Sequence, residues 1–207
     1  MNLPSFKIRA SAVSEIMTNP RNKTELISKG AQTYCKKWLL SAIYGVRGGG
    51  SSKYTEKGIQ CEEEAIEFAG AYLGWFLPEK NTRQFEDEHF TGCPDVILPD
   101  FVADIKCSWD VFTFPLLEQE IPEQGYWMQL QAYMHLTGKT KAQLVYVLMP
   151  TPEDVPQYWT SAIPDNIEEL DAELRIRVFE FDYNPEFVQS VQQRVLDCRN
   201  WIETLIK

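Results

Sequence analysis

Residues 92–109 read GCPDVILPDFVADIKCSW, and two apolar runs in this stretch decide the fold. Val96-Ile97-Leu98 and Phe101-Val102-Ala103 have strand character, and Pro99-Asp100 between them has the residues of a tight turn. Asp95 opens the first strand, while Asp104 and Lys106 close the second. A charge buried in a sheet costs several kcal/mol unless it is paired or holds a metal ion. The hairpin therefore demands a reason for two carboxylates and a lysine.

Strand geometry supplies one. Residues two apart project to the same face, so Asp104 and Lys106 share a side. With the turn at residues 99–100, paired positions have numbers summing to about 199, which sets Asp95 opposite Asp104. Cross-strand neighbours on one face hold their Cβ atoms about 5 Å apart. Two carboxylates so close repel unless a cation lies between them, and hard divalent cations such as Mg²⁺ take oxygen ligands. The backbone carbonyl of Ile105 is a further donor. Lys106, beside such an ion, is placed to orient water or to stabilise charge building on a phosphate. The competing reading is an i,i+2 ion pair on an edge strand, but the flanking apolar run belongs to a central one.

Outward from the hairpin, the 207 residues are 44% hydrophobic and 24% charged, in keeping with one globular domain over residues 1–207. Its expected parts are a basic helical region at 1–57, a core at 58–149 and a C-terminal elaboration at 150–207. There is no run of 18 apolar residues and no apolar centre of a signal peptide near the start, so a soluble intracellular protein is expected, with no membrane partner. Five scattered cysteines (Cys35, Cys61, Cys93, Cys107, Cys198) without a CxxC pair read as packing thiols. Histidines 89 and 135 are too few for a histidine-rich metal site and read as structural.

The net charge of −10 argues against a general nucleic-acid binder, yet it is unevenly spread. Residues 1–57 hold ten Lys/Arg against three Glu, a net of +7, leaving −17 on the remainder. A basic first quarter on an acidic body is either a phosphate-contacting surface or a solvated basic helix face.

Periodicity and punctuation predict helices over 11–18 with Ser11 as N-cap, 24–44, 55–76, 123–137 and 185–206, the last capped by Asn184. On 55–76 the expected buried stripe is Ile59, Ala65, Ile66, Ala69 and Leu73. GVRGGGSS at 45–52 reads as a linker or mobile loop and lacks the GK[ST] of a P-loop. Besides the hairpin, strands are expected over 83–90, 142–149 and 176–182, with a weak acidic helix at 165–173. Helices feeding a mixed sheet, with a crossover helix between the third and fourth strands, make an α/β sandwich.

Pro94-Asp95 followed by Asp104-Ile105-Lys106 resembles the PD-(D/E)xK signature of restriction-endonuclease-like nucleases. Upstream, Gly58-Ile59-Gln60-Cys61-Glu62-Glu63-Glu64-Ala65 is similar to the GxxxExxA helix of lambda-type (YqaJ-like) phage exonucleases and their RecB-like relatives. Downstream, Gln129-Leu130-Gln131 with Tyr133 resembles their QxxxY or QxQ element. The resemblance covers roughly residues 8–149 and implies an α/β fold with a restriction-endonuclease-like αβββαβ core, its mixed central sheet flanked by helices. It also implies one or two Mg²⁺ or Mn²⁺ ions and hydrolysis of DNA phosphodiesters.

By residue, the resemblance implies that Glu62, Asp95 and Asp104 are metal-binding catalytic carboxylates, that Lys106 is the catalytic lysine and that Gln129 orients it or the scissile phosphate. Glu62 is preferred to Glu63 and Glu64 because it lies one helical turn from Gly58. Arg9-Ala10-Ser11-Ala12-Val13 is similar to a family string whose serine holds a terminal 5′ phosphate, which makes Arg9 and Ser11, with Tyr133, candidate DNA contacts. Cys93 stands where some relatives carry a phosphate-contacting serine, and Glu86, Asp87 and Glu88 are further acidic candidates among which sequence does not choose.

The bland readings are a solvated helix face for Glu62 to Glu64 and core packing for Gln129 and Tyr133. Trp109, Trp127 and Phe112 are expected in the core, with base stacking as the alternative. The resulting expectation is a phage-type 5′→3′ deoxyribonuclease acting on linear duplex ends in recombination, in the cytoplasm of a bacterial host. A single-strand annealing partner and a ring of identical subunits go with that family. The alternatives are a RecB-like CRISPR or repair nuclease and a non-catalytic DNA-end-binding or recombination-partner protein on the same fold.

Overall fold

The hairpin forms in the expected register. In the structure, a computed structural model describing residues 3–46, 53–152 and 162–206, β4 (Val96–Ile97) runs antiparallel to β5 (Val102–Cys107). Val96 pairs with Ala103 and Ile97 with Val102, so the paired numbers sum to 199. Before this hairpin the chain forms β1 (Ile8–Arg9), α1 (Val13–Ile16), α2 (Lys29–Tyr44), α3 (Lys53–Leu73), β2 (Phe85–Glu86) and β3 (Phe90–Gly92). After it come α4 (Gln124–Thr137), β6 (Lys141–Val147), β7 (Ile176–Asp182) and α5 (Pro185–Ile206).

Among the described residues the strands make two mixed sheets, ordered β1-β3-β2 and β4-β5-β6-β7. β5 is central to the second, with β4 antiparallel on one side and β6 parallel on the other. The parallel step is made by α4, the crossover helix expected between strands, which ends at Gly138 in the left-handed conformation.

Alternation along β5 sorts its side chains. Val102, Asp104 and Lys106 face α4, whose Leu130 and Met134 pack into a core shared with α1, α2 and α5. Ala103, Ile105 and Cys107 face α3, through Cys61, Ala65, Ile66 and Ala69. α5 buries Val188, Val191, Val195, Cys198 and Ile202, and Asn184 Oδ1 accepts the Phe187 amide as its N-cap.

Several local expectations are corrected. The single strand at 83–90 is two strands, because the Asp87 carboxylate accepts the His89 and Phe90 amides and turns the chain back. Ser11 caps no helix; it sits inside a 3₁₀ turn at Ala10–Ala12 that leads into α1. The second helix starts at Lys29, not at 24, since Ser28 Oγ accepts the Ala31 amide there. Ile59 is 63% exposed, and Cys61 takes its place on the buried stripe of α3. The acidic segment at 165–173 forms two short 3₁₀ turns, Ile167–Glu169 and Ala172–Leu174. Residues 47–52 of the glycine-rich stretch lie outside the described residues.

Candidate active site

The site begins with Asp104, 1% exposed on the central strand. Its Oδ1 accepts a hydrogen bond from Gln129 Nε2 at 3.0 Å, and the same nitrogen donates to the Tyr133 hydroxyl at 2.9 Å. Gln129 and Tyr133 stand one turn apart on α4, so the helix presents both to the strand beneath it. Asp104 Oδ2 meets the Lys106 ammonium at 2.6 Å but has no well-directed hydrogen bond. Lys106 Nζ also lies 4.9 Å from the centre of the Tyr126 ring. Burial opposes the charge on Lys106, but Asp104 and Asp95 outweigh it and hold its pKa above the ordinary lysine range.

Asp95 precedes the last residue of β4 that pairs with β5, so it lies just outside the ladder. Its Oδ2 accepts the Ile105 amide at 2.7 Å, an interaction that does what the missing ladder bond would have done. Burial, and then the neighbouring charge of Asp104, push its pKa up to about 8. Asn81 clamps the same segment: its amide donates to the Asp95 carbonyl at 2.7 Å and its Nδ2 to the Pro94 carbonyl at 2.8 Å. Cys93, at the puzzling position before Pro94, donates to the Asn81 carbonyl across 3.7 Å. It is therefore part of the clamp.

Glu62 comes from the other side. α3 packs on the sheet face opposite the one that bears Asp104, and Glu62 on that helix lies near enough to Asp95 for its charge to help raise the Asp95 pKa. There it forms an ion pair with Lys80, Nζ to Oε2 at 3.1 Å. Among the described residues no three carboxylate, histidine or cysteine side chains converge on one point. The donor chemistry nonetheless fits a hard divalent ion: Asp104 keeps an oxygen without a hydrogen bond, and Asp95 is a carboxyl that resists ionising beside it. The Ile105 carbonyl belongs to the same strand segment.

The remaining candidates divide. Arg9 and Ser11, both exposed, flank Ala10, and Gly92 brings that turn against Tyr133. A Cβ on Gly92 would lie 2.9 Å from Tyr133 Cε1 and 3.0 Å from Ala10 Cβ, so glycine is required for this approach. Glu86, Asp87 and Glu88 are engaged elsewhere, by Lys7, His135 and Arg199. Trp109 is buried and Trp127 packs on Phe187, whereas Phe112 is exposed, not in the core.

Sequence reasoning missed three residues. Lys80 and Asn81 lie in a stretch without periodicity, and no local pattern aims them at Glu62 or Asp95. Lys57 counts toward the basic first quarter, but it is fully buried and donates to the Trp109 carbonyl at 2.9 Å. It joins α3 to the segment after β5 and is no phosphate contact. Its place one residue before Gly58, immediately ahead of the quoted helix motif, was the available signal.

No family model matches the chain, and no curated protein does. Among solved structures it is similar to a phage-related exonuclease from Haemophilus somnus 129PT, at 28% identity and a TM-score of 0.89, covering 98% of this chain and 96% of that one. It also shares the fold of the alkaline exonuclease LHK-Exo from Laribacter hongkongensis, at 15% identity and a TM-score of 0.72, over 97% of this chain and 89% of that one. LHK-Exo has also been solved in complex with dAMP. Among the described residues, no helix is long and apolar enough to cross a membrane.

Proposed function

We propose that this chain, which resembles the phage-type exonucleases of the PD-(D/E)xK superfamily, is a Mg²⁺- or Mn²⁺-dependent deoxyribonuclease that degrades linear duplex DNA from 5′ ends in recombination. The observation that carries the reading is the buried chain Tyr133–Gln129–Asp104–Lys106 with Asp95 alongside. A buried carboxylate held by a glutamine on one oxygen, and by charge alone on the other, is oriented rather than merely satisfied. The likeness to exonucleases, one of them solved with dAMP, supports a nucleic-acid substrate.

Asp95, Asp104 and the Ile105 carbonyl would hold one ion, and Glu62 would join them or hold a second. The ion's part is to polarise the phosphoryl oxygens and to make water nucleophilic near neutral pH. Gln129 fixes the rotamer of Asp104 from α4, so the strand presents its other oxygen, the one paired with Lys106, in one direction. Lys106, kept charged by its two carboxylates, stabilises the extra negative charge on the phosphate as the in-line displacement frees a 5′-phosphate product. Arg9 and Ser11, brought against Tyr133 by Gly92, would seat the terminal 5′ phosphate. A bacterial host's cytoplasm and a single-strand annealing partner go with this role.

The test is a time course on linear duplex carrying 5′-phosphate or 5′-hydroxyl ends, with Mg²⁺ or with EDTA. Degradation with Mg²⁺ alone, faster from 5′-phosphate ends, is expected. Equal rates from both ends would remove the Arg9 and Ser11 assignment. Intact DNA that is still bound at its ends would replace the nuclease by an end-binding protein.

A further inference from the structure

We propose that Lys80 gates the cation site: its ammonium takes the place of a divalent ion at Glu62 and must withdraw before Glu62 can serve as a ligand. The inference rests on the metal-dependent reading above and assigns a positioning role to a residue outside the sequence motifs. Lys80 Nζ lies 3.1 Å from Glu62 Oε2. This is no chance meeting of two long surface side chains, because the backbone of Lys80 is fixed. It bridges Val96 in antiparallel fashion, one residue from Asp95, and the next residue, Asn81, is clamped onto Pro94 and Asp95. The strand that presents Asp95 thus also presents the lysine.

The consequence is electrostatic. An ammonium and a divalent ion cannot both sit against one carboxylate, and partial burial screens their repulsion less than water would. Both side chains are partly exposed, the lysine 31% and Glu62 22%, so the ammonium has a route outward. This accounts for why the three candidate carboxylates do not converge: Glu62 is committed to Lys80, and Asp104 to Lys106. An outward-swung ammonium, with three donors on a flexible stem, is suited to a phosphate oxygen of bound DNA. Substrate binding would then release Glu62 to the ion.

Titrating Mn²⁺ calorimetrically into wild type, Lys80→Met and Lys80→Arg, without DNA, tests the gate. Lys80→Met is expected to bind Mn²⁺ about tenfold more tightly than wild type, with Lys80→Arg close to wild type. Lys80→Gln, checked for folding by circular dichroism, serves if the methionine variant does not fold. Unchanged Mn²⁺ affinity in the folded neutral variant would overturn the gate and leave metal dependence standing. No Mn²⁺ binding by any of the proteins would overturn the metal-dependent reading, and the gate with it.

Discussion

Two carboxylate clusters sit along α4, one at Gln129 near its middle and one at His135 in its last turn, and they are built on opposite principles. Asp87 accepts the His89 and Phe90 amides at 2.7 Å each and meets His135 Nε2 at 2.8 Å, while His135 Nδ1 lies 3.1 Å from the Tyr183 hydroxyl. Burial opposes its charge, but the two amides and the imidazole prevail, and its pKa falls below the ordinary carboxylate value. Asp95 has one amide and a like-charged neighbour, and its pKa rises to about 8. The first cluster is complete with the chain's own groups. The second is short of positive charge even with Lys106 present, and that shortage marks it as the place for chemistry.

The sharpest way to break this comparison is Asp104→Asn. The amide keeps a partner for Gln129 but removes a ligand charge, so duplex degradation should fall at least about 1,000-fold, roughly 4 kcal/mol of barrier. The fold should survive, with a melting temperature within about 5 °C of wild type, because Lys106 can extend to water. Residual activity near wild type would show that Asp104 is structural after all. Asp87→Ala should do the reverse. Losing a turn cap and a charge-assisted bond should cost about 2 kcal/mol of stability in thermal or urea unfolding, with activity per folded molecule unchanged.

A smaller effect, of opposite sign in the two clusters, is expected with pH. Asp87 has a depressed folded pKa, so its contribution is present above the ordinary carboxylate value and lost as pH falls through the folded one. The melting difference between wild type and Asp87→Asn should therefore shrink on acidification. Asp95 has a raised folded pKa, so the folded chain holds a proton that the unfolded chain releases. In EDTA, stability should decline as pH rises from about 4, the ordinary carboxylate value, toward about 8. Asp95→Asn should flatten that decline, and melting curves across this range check both slopes.

Much of this was legible in the sequence because it is short-range. The turn at Pro99-Asp100 set the hairpin register, period-two alternation put Asp104 and Lys106 on one face, and Asn184-Pro185 and Gly138 marked helix ends. The ladder arithmetic also placed Asp95 beside Asp104, although the residue lies past the last paired position and accepts the Ile105 amide instead. The single strand at 83–90 failed for an equally local reason: the Asp87 side chain competes for backbone amides and wins a turn.

Only the tertiary structure decided the rest. Gln129 reaches Asp104 across 25 positions because α4 crosses back over the sheet, and Lys80 reaches Glu62 because an irregular segment bridges β4. Lys57, a basic residue like its neighbours in sequence, lies buried against Trp109. Periodicity reports which face of an element a side chain takes, and so the motif carboxylates could be read from the chain. Which distant charge meets them depends on how whole elements pack, and no window of sequence holds that information.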